Sequence, residues 1–151
     1  MHAIVRLGLV SLAALVVATQ LPSCYSEGCG NDLDVELVAE EPGDYVFEGA
    51  AFSGWSSSDF RCPYTVRQGA GGVPVVTPGE CEGRVGLYAW DGPDGRQFLH
   101  ADFYDAPGHV TWTLTRTLPM ALTAEPEVTS GTLDPAYEGE EGCSHADETV
   151  P

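Results

Sequence analysis

Hydrophobic and polar residues alternate regularly near the start of the region that we expect to fold. Leu33, Val35 and Leu37 alternate with Asp34 and Glu36. Because successive side chains of a β-strand lie on opposite faces, this period of two predicts a strand with one apolar and one acidic face. After residue 23, no window of a dozen residues shows the period of a helix. The pattern therefore indicates a chain built from strands.

The other apolar segments are short, and turns rich in Gly, Pro and Asp separate them. The clearest hairpin joins residues 85–90 to residues 96–104 through the linker 91–95, whose sequence is Asp-Gly-Pro-Asp-Gly. Gly allows positive φ and Pro restricts φ, so this linker favours a turn. Residues 110–115 alternate strictly and are β-branched at many positions, which favours a strand. Further strands are predicted at 45–48, 62–67, 73–76, 121–124 and 127–133.

Two segments carry less regular patterns. Residues 49–59 are small and polar around Phe52 and Trp55, and we predict a loop with an edge segment. Residues 134–151 are acidic and carry Cys143, and we predict a solvated tail. About seven short strands with regular turns are typical of an all-β sandwich.

The N-terminal residues have the features of a signal peptide. Arg6 precedes an uncharged apolar stretch at 7–18, which is short for a membrane span. The following Leu-Pro-Ser-Cys sequence, which ends at Cys24, resembles the lipobox of bacterial lipoproteins. In that family the Cys receives a diacylglyceryl group, a peptidase cleaves before it, and the new amino terminus is acylated. An ordinary secreted protein or a single transmembrane anchor are the alternatives.

The lipobox resemblance implies a domain organisation and a location. Residues 1–23 would be the signal peptide, residues 24–32 the lipidated Cys24 and a tether, and residues 33–151 the sandwich with its acidic tail. Tyr25 follows the Cys, where an Asp would be the usual signal for retention in the inner membrane. The expected location is the cell envelope, lipid-anchored to the outer membrane, because several acyl chains anchor a protein stably.

The chain has five Cys residues, an odd number for an exported protein. Lipidation of Cys24 leaves four, and an oxidising compartment favours two disulfides. Three pairings are possible. We favour Cys62–Cys81, which flank one compact segment and leave Cys29 to pair with Cys143. Metal ligation is the alternative, but the spacing matches no zinc pattern.

Charge excludes one class of partner. The sequence has 23 acidic residues, six Arg and no Lys, with a net charge of −17. Such a chain repels nucleic acid, because binding to phosphates requires basic side chains. The acidity favours solubility, with weak binding of a divalent cation such as calcium near His145 as the alternative. We expect no cofactor and assign no metal site.

No catalytic motif is evident. Ser56, Ser57 and Ser58 lack the flanking glycines of a nucleophile elbow, and His100 and His109 lie in no recognised motif.

The aromatic residues are the other candidates for function. We expect Trp112 in the core and Trp55 as a possible ligand contact on a loop. The alternative, a sugar-stacking platform or a partner surface, would draw on a wider set of aromatic residues: Trp55, Trp90, Trp112, Tyr64, Tyr88 and Tyr104.

The layout also resembles small bacterial lipoproteins without an assigned activity that have an immunoglobulin-like or transthyretin-like sandwich. The resemblance rests on Cys24, the Pro-Gly-Asp-Tyr turn at 42–45, the Thr-rich strand at 110–117 and the tail at 137–143. It implies an immunoglobulin-like antiparallel β-sandwich and adds no function.

Our main hypothesis is a non-catalytic binding or structural module that contacts an envelope protein or glycan. A carbohydrate- or calcium-binding module and an envelope hydrolase with a spatially assembled site are the alternatives.

Overall fold

The segments with a period of two form strands. The computed structural model describes residues 32–37, 39–118, 125–140 and 143–150, without the side chains of residues 140, 143 and 144. No helix in this part of the chain is long and apolar enough to cross a membrane. The strands within these residues are β1 (Asp32–Leu37), β2 (Gly43–Ser53), β3 (Ser56–Gln68), β4 (Pro74–Pro78), β5 (Val85–Asp91), β6 (Gln97–Phe103), β7 (His109–Thr117), β8 (Glu127–Leu133), β9 (Glu138–Glu140) and β10 (Cys143–Val150).

These strands form two sheets of five strands each. Sheet A has the order β5-β6-β1-β10-β9, and sheet B has the order β4-β3-β2-β7-β8. Neighbouring strands are antiparallel except for β1 and β10, which run parallel with Asp32 opposite His145 and Leu37 opposite Val150. The predicted all-β sandwich is confirmed, with more strands than the seven expected and with one parallel pair. Strand β4 lies at an edge of sheet B, where the missing N–H of Pro74 costs no ladder hydrogen bond.

The loop predicted at residues 49–59 is wrong, because this segment forms the end of one long hairpin. Ala51 pairs with Ser58, and Ser53 pairs with Ser56. Gly54 adopts a φ of 60° at the tip, in the left-handed region that favours glycine. Pairing of β2 with β7 on its other side supports the same segment. Because small side chains predominate here, the sequence shows no alternation of apolar and polar residues. Backbone hydrogen bonds on both sides of β2 nevertheless maintain the strand.

The C-terminal segment is not simply a solvated tail, since residues 143–150 form β10 between β1 and β9. Ala146 and Val150 are buried against sheet B, while Glu148 at the intervening inward position is only partly covered. This mixed inner face explains why the sequence pattern did not reveal the strand. The strand predicted at 121–124 lies outside the described residues.

Four aromatic rings join the two sheets in the core. Phe103 of sheet A packs edge-on against Phe60 of sheet B, with ring centroids 5.0 Å apart. Phe47 contacts Phe60 at 5.0 Å and lies 6.4 Å from Trp112. Trp112 is buried, as predicted, and its indole lies across Gly131 of β8, where a Cβ would come within 2.7 Å of the ring. Burial of each such side chain contributes about 1.5–3 kcal/mol.

The disulfide between Cys62 and Cys81 is confirmed. It joins buried Cys62 of β3 to the segment after β4, across a sequence separation of 19 residues. Cys24 and Cys29 lie outside the described residues, as does the side chain of Cys143. The pairing of Cys29 with Cys143 therefore stays a prediction.

Removal of this disulfide should destabilise the domain. We expect the Cys62→Ala/Cys81→Ala variant to lose about 3 kcal/mol of unfolding free energy, because a closed loop of this length restricts the unfolded chain. Urea unfolding of wild type and variant, followed by tryptophan fluorescence, measures the difference. Equal unfolding free energies would contradict this expectation.

Candidate binding face on sheet A

The alternation in β1 determines which side chains sheet A presents to solvent. Leu33, Val35 and Leu37 point into the core and are buried. The neighbouring strands β5, β6 and β10 alternate in register with β1. We call the resulting surface the outer face. Its strand residues are Asp32, Asp34 and Glu36 of β1; Gly86, Tyr88 and Trp90 of β5; Phe98, His100 and Asp102 of β6; and His145, Asp147 and Thr149 of β10.

Aromatic rings occupy the half of the outer face that β5 and β6 form. Tyr88, Trp90 and Tyr104 are 41%, 46% and 57% exposed. Trp90 stacks on Phe98 with ring centroids 5.0 Å apart and planes 22° apart. The Tyr104 hydroxyl lies over Gly86, where a Cβ would come within 2.3 Å of its oxygen. We call these four aromatic residues the aromatic strip.

A hydrogen-bonded group connects the aromatic strip to the carboxylates of β1. The Tyr88 hydroxyl donates to Asp34 Oδ2 at 2.7 Å, and His100 Nδ1 lies 2.7 Å from Asp34 Oδ1. The Tyr88 ring also stacks on the His100 ring, with centroids 5.4 Å apart. The pKa of Tyr88 is raised above its ordinary value. Burial is the largest cause, and the hydrogen bond to Asp34 is the second. The hydroxyl therefore stays protonated and holds the Asp34 carboxylate in place.

Asp102 lies next to this group with part of its hydrogen-bonding capacity unused. It pairs in register with Asp34, and its Oδ1 atom is buried with no hydrogen-bond partner among the described residues. Burial raises the pKa of Asp102, and the carboxylates of Asp32 and Asp34 raise it further. The charged form of Asp102 is therefore less favourable here than in the unfolded chain.

His145 lies at the far side of the outer face. Its Nδ1 is 3.2 Å from Asp32 Oδ1, and its Nε2 is 2.8 Å from Asp147 Oδ1. The hydrogen bond to Asp32 is the main cause that raises the pKa of His145. Within the residues that the structure describes, no group of three or more His, Cys, Asp or Glu side chains is arranged to hold a metal ion.

The candidate nucleophiles and bases do not form a catalytic pair. His109 Nδ1 lies 2.6 Å from Asp134 Oδ1 on an exposed part of sheet B. The Ser56 hydroxyl donates to the Ser53 carbonyl at 2.8 Å, across the hairpin turn. Among the hydrogen bonds of the described residues, none joins a Ser hydroxyl to a His ring.

Trp55 lies at the tip of the β2–β3 hairpin and is fully exposed, with a relative accessibility of 107%. Its predicted role as a ligand contact stays a prediction. A cavity of about 190 Å³ lies beside the tip end of the same hairpin. The Arg84–Asp105 ion pair, with 2.7 Å between Nη1 and Oδ2, lies in its wall.

The structure separates the six aromatic residues that the sequence offered as a platform. Tyr64 and Trp112 are buried, and Trp55 lies on sheet B. The other three, Tyr88, Trp90 and Tyr104, come together on the outer face. Phe98 and Asp102 lie next to them and were not among the residues predicted from the sequence, although both alternate with buried residues of β6.

Neutralisation of Asp102 should stabilise the protein in a pH-dependent manner. Because its pKa is raised on folding, ionised Asp102 lowers stability above its ordinary pKa of 3.8, and this cost disappears as the pH falls below that value. We expect Asp102→Asn to raise the urea midpoint at pH 7 and to have no such effect at about pH 3.

The matched control is Asp59→Asn, which makes the same chemical change at an exposed position of β3. Urea titrations at both pH values measure the effect, and the control should leave the midpoint at pH 7 almost unchanged. A lower midpoint for Asp102→Asn at pH 7 would show that its carboxylate is stabilising in the folded protein.

Comparison with protein-family models, with curated proteins and with solved structures found no match for this chain. Its functional interpretation therefore rests on its own residues and their arrangement.

Proposed function

We propose that the protein is a non-catalytic binding module, held at the cell envelope by lipid on Cys24, and that it binds its ligand on the outer face. The observation that carries the proposal is the aromatic strip, whose Tyr88, Trp90 and Tyr104 rings are each at least 41% exposed. Contiguous exposed aromatic side chains are typical of interaction sites, since they bury much apolar area on binding.

The outer face is also rigid enough to bind without large rearrangement. Trp90 is stacked on Phe98, and Tyr88 is fixed by Asp34 and His100. These side chains project from paired strands, which hold a site more precisely than loops do. Because their orientation is already set, less conformational entropy is lost when a ligand binds.

The shape of the outer face favours an extended ligand. Small-molecule sites are usually concave, whereas these rings lie along a sheet face from Tyr104 to Trp90. Their path follows β5, where outward residues are about 7 Å apart along the strand. A polymer or a segment of another protein can contact several of these rings at once.

The lipid anchor has a direct test. We expect the full-length protein to incorporate an alkyne-labelled fatty acid when expressed in a Gram-negative host, because Cys24 would be acylated. Cys24→Ser should abolish labelling and release the protein from membranes, while Cys62→Ala should leave the label in place. Continued labelling of Cys24→Ser would contradict the anchor.

The binding function is tested with the full-length protein in detergent micelles and a defined panel of probes. The panel contains neutral hexasaccharides of glucose and of N-acetylglucosamine, an acidic peptide and a basic peptide. We expect saturable binding of one probe class, and Trp90→Ala should weaken it by about tenfold, equivalent to 1.4 kcal/mol. Trp55→Ala, which removes an exposed Trp from sheet B, is the matched control.

Two outcomes would contradict the binding proposal. One is the absence of saturable binding for every probe in the panel. The other is binding that Trp55→Ala weakens and Trp90→Ala does not, since the ligand would then contact the hairpin tip.

A further inference from the structure

We propose, building on the binding function above, that the ligand of the outer face is an extended cationic peptide segment of another protein, with Arg or Lys at alternate positions. The first support is the charge of the face. The strand residues that form it include five carboxylates and no Arg or Lys: Asp32, Asp34, Glu36, Asp102 and Asp147.

The Arg side chains of the described residues pair with carboxylates elsewhere. Each forms an ion pair with a carboxylate that is not part of the outer face. The pairs are Arg61 with Glu48, Arg67 with Asp44, Arg84 with Asp105, Arg96 with Glu40, and Arg116 with Glu41 and Glu127. Where the carboxylates of the outer face form side-chain hydrogen bonds within the described residues, their partners are His and Tyr side chains. A cation from a partner would supply the charge that this surface lacks.

Asp102 and Asp34 lie side by side on neighbouring strands of the outer face. Asp102 is only partly buried, and no described residue hydrogen bonds to its enclosed Oδ1 atom. Two neighbouring carboxylates repel each other, and an arriving guanidinium or ammonium group would relieve that repulsion. The guanidinium of Arg has five N–H donors, so it can hydrogen bond to more than one carboxylate oxygen.

The aromatic strip favours the same ligand. Cations are attracted to the faces of Trp and Tyr rings, and Tyr88 joins the strip to Asp34 through a hydrogen bond of 2.7 Å. A neutral glycan could stack on the rings, but it would leave the carboxylates without a compensating charge. An anionic glycan or a nucleic acid would be repelled by them.

The spacing of the carboxylates favours a peptide over a single small cation. Asp32, Asp34 and Glu36 occupy successive outward positions of β1, about 7 Å apart along the strand. Alternate side chains of an extended peptide have the same spacing, because the peptide has the same rise per residue. A segment with basic residues at every second position can therefore match the carboxylates one by one.

Binding of a synthetic peptide in which Arg and Ser alternate over ten residues tests the proposal. The full-length protein in detergent micelles is titrated at pH 7.5, with fluorescence anisotropy of the labelled peptide as the readout. We expect saturable binding that weakens with added salt, since salt screens exposed charges. A peptide in which Glu and Ser alternate should not bind.

The variants compare charge at the outer face with charge elsewhere. Asp34→Asn/Glu36→Gln should weaken binding at least tenfold, and Asp59→Asn/Glu125→Gln, which removes the same charge from exposed positions outside the face, should change it less than about twofold. Trp90→Ala should also weaken binding, and it leaves every carboxylate in place. Circular dichroism checks that each variant is folded.

Three results would overturn the cationic ligand. The first is equal weakening by the two double variants, which would indicate diffuse attraction to an acidic protein. The second is the absence of binding to the basic peptide. The third is binding of a neutral hexasaccharide that Trp90→Ala abolishes while the basic peptide does not bind. This third result would retain the proposed binding function and replace only its ligand.

Discussion

The alternation of apolar and acidic side chains along β1 organises sheet A and its packing against sheet B. Its three apolar side chains are buried between the sheets, and its three carboxylates lie on the opposite side. A shift of one residue in register would exchange these two sets. Because unpaired charges are costly in an apolar core, the positions of β6 and β10 beside β1 are strongly determined. The same constraint assembles the acidic part of the outer face.

The contacts between the sheets explain why the outer face can be rigid. Phe103 follows the outward residues of β6 and anchors that strand against Phe60 of sheet B. Cys62 lies in the same strand as Phe60 and is joined to Cys81 after β4. The inner side of sheet A therefore packs against aromatic rings of sheet B. Its outer side carries the aromatic strip, and no described residue packs on top of those rings. Rigidity and exposure thus arise from the two sides of one sheet.

Charge is distributed unevenly over the molecule, and net charge alone does not convey this. Arg61, Arg67 and Arg116 lie on strands of sheet B, where nearby carboxylates balance them. The outer face of sheet A has only His100 and His145 as groups that can become positively charged. The net negative charge of the whole chain is consistent with solubility. The separation of charges between the two sheets indicates in addition that a partner of the outer face would be cationic.

Local sequence patterns were sufficient to predict several features of this protein. The period of two predicted β1 and β7, the Gly-Pro-Asp linker predicted the β5–β6 hairpin, and the short spacing of Cys62 and Cys81 predicted their disulfide. These features depend on residues that are close together in the chain. The pairing of β10 with β1 could not be predicted in this way, because it brings Asp32 and His145 together across 113 residues of sequence. Only the tertiary structure determines that Tyr88 is exposed and Tyr64 is buried, because burial depends on which sheet packs against a strand face and not on the residue type.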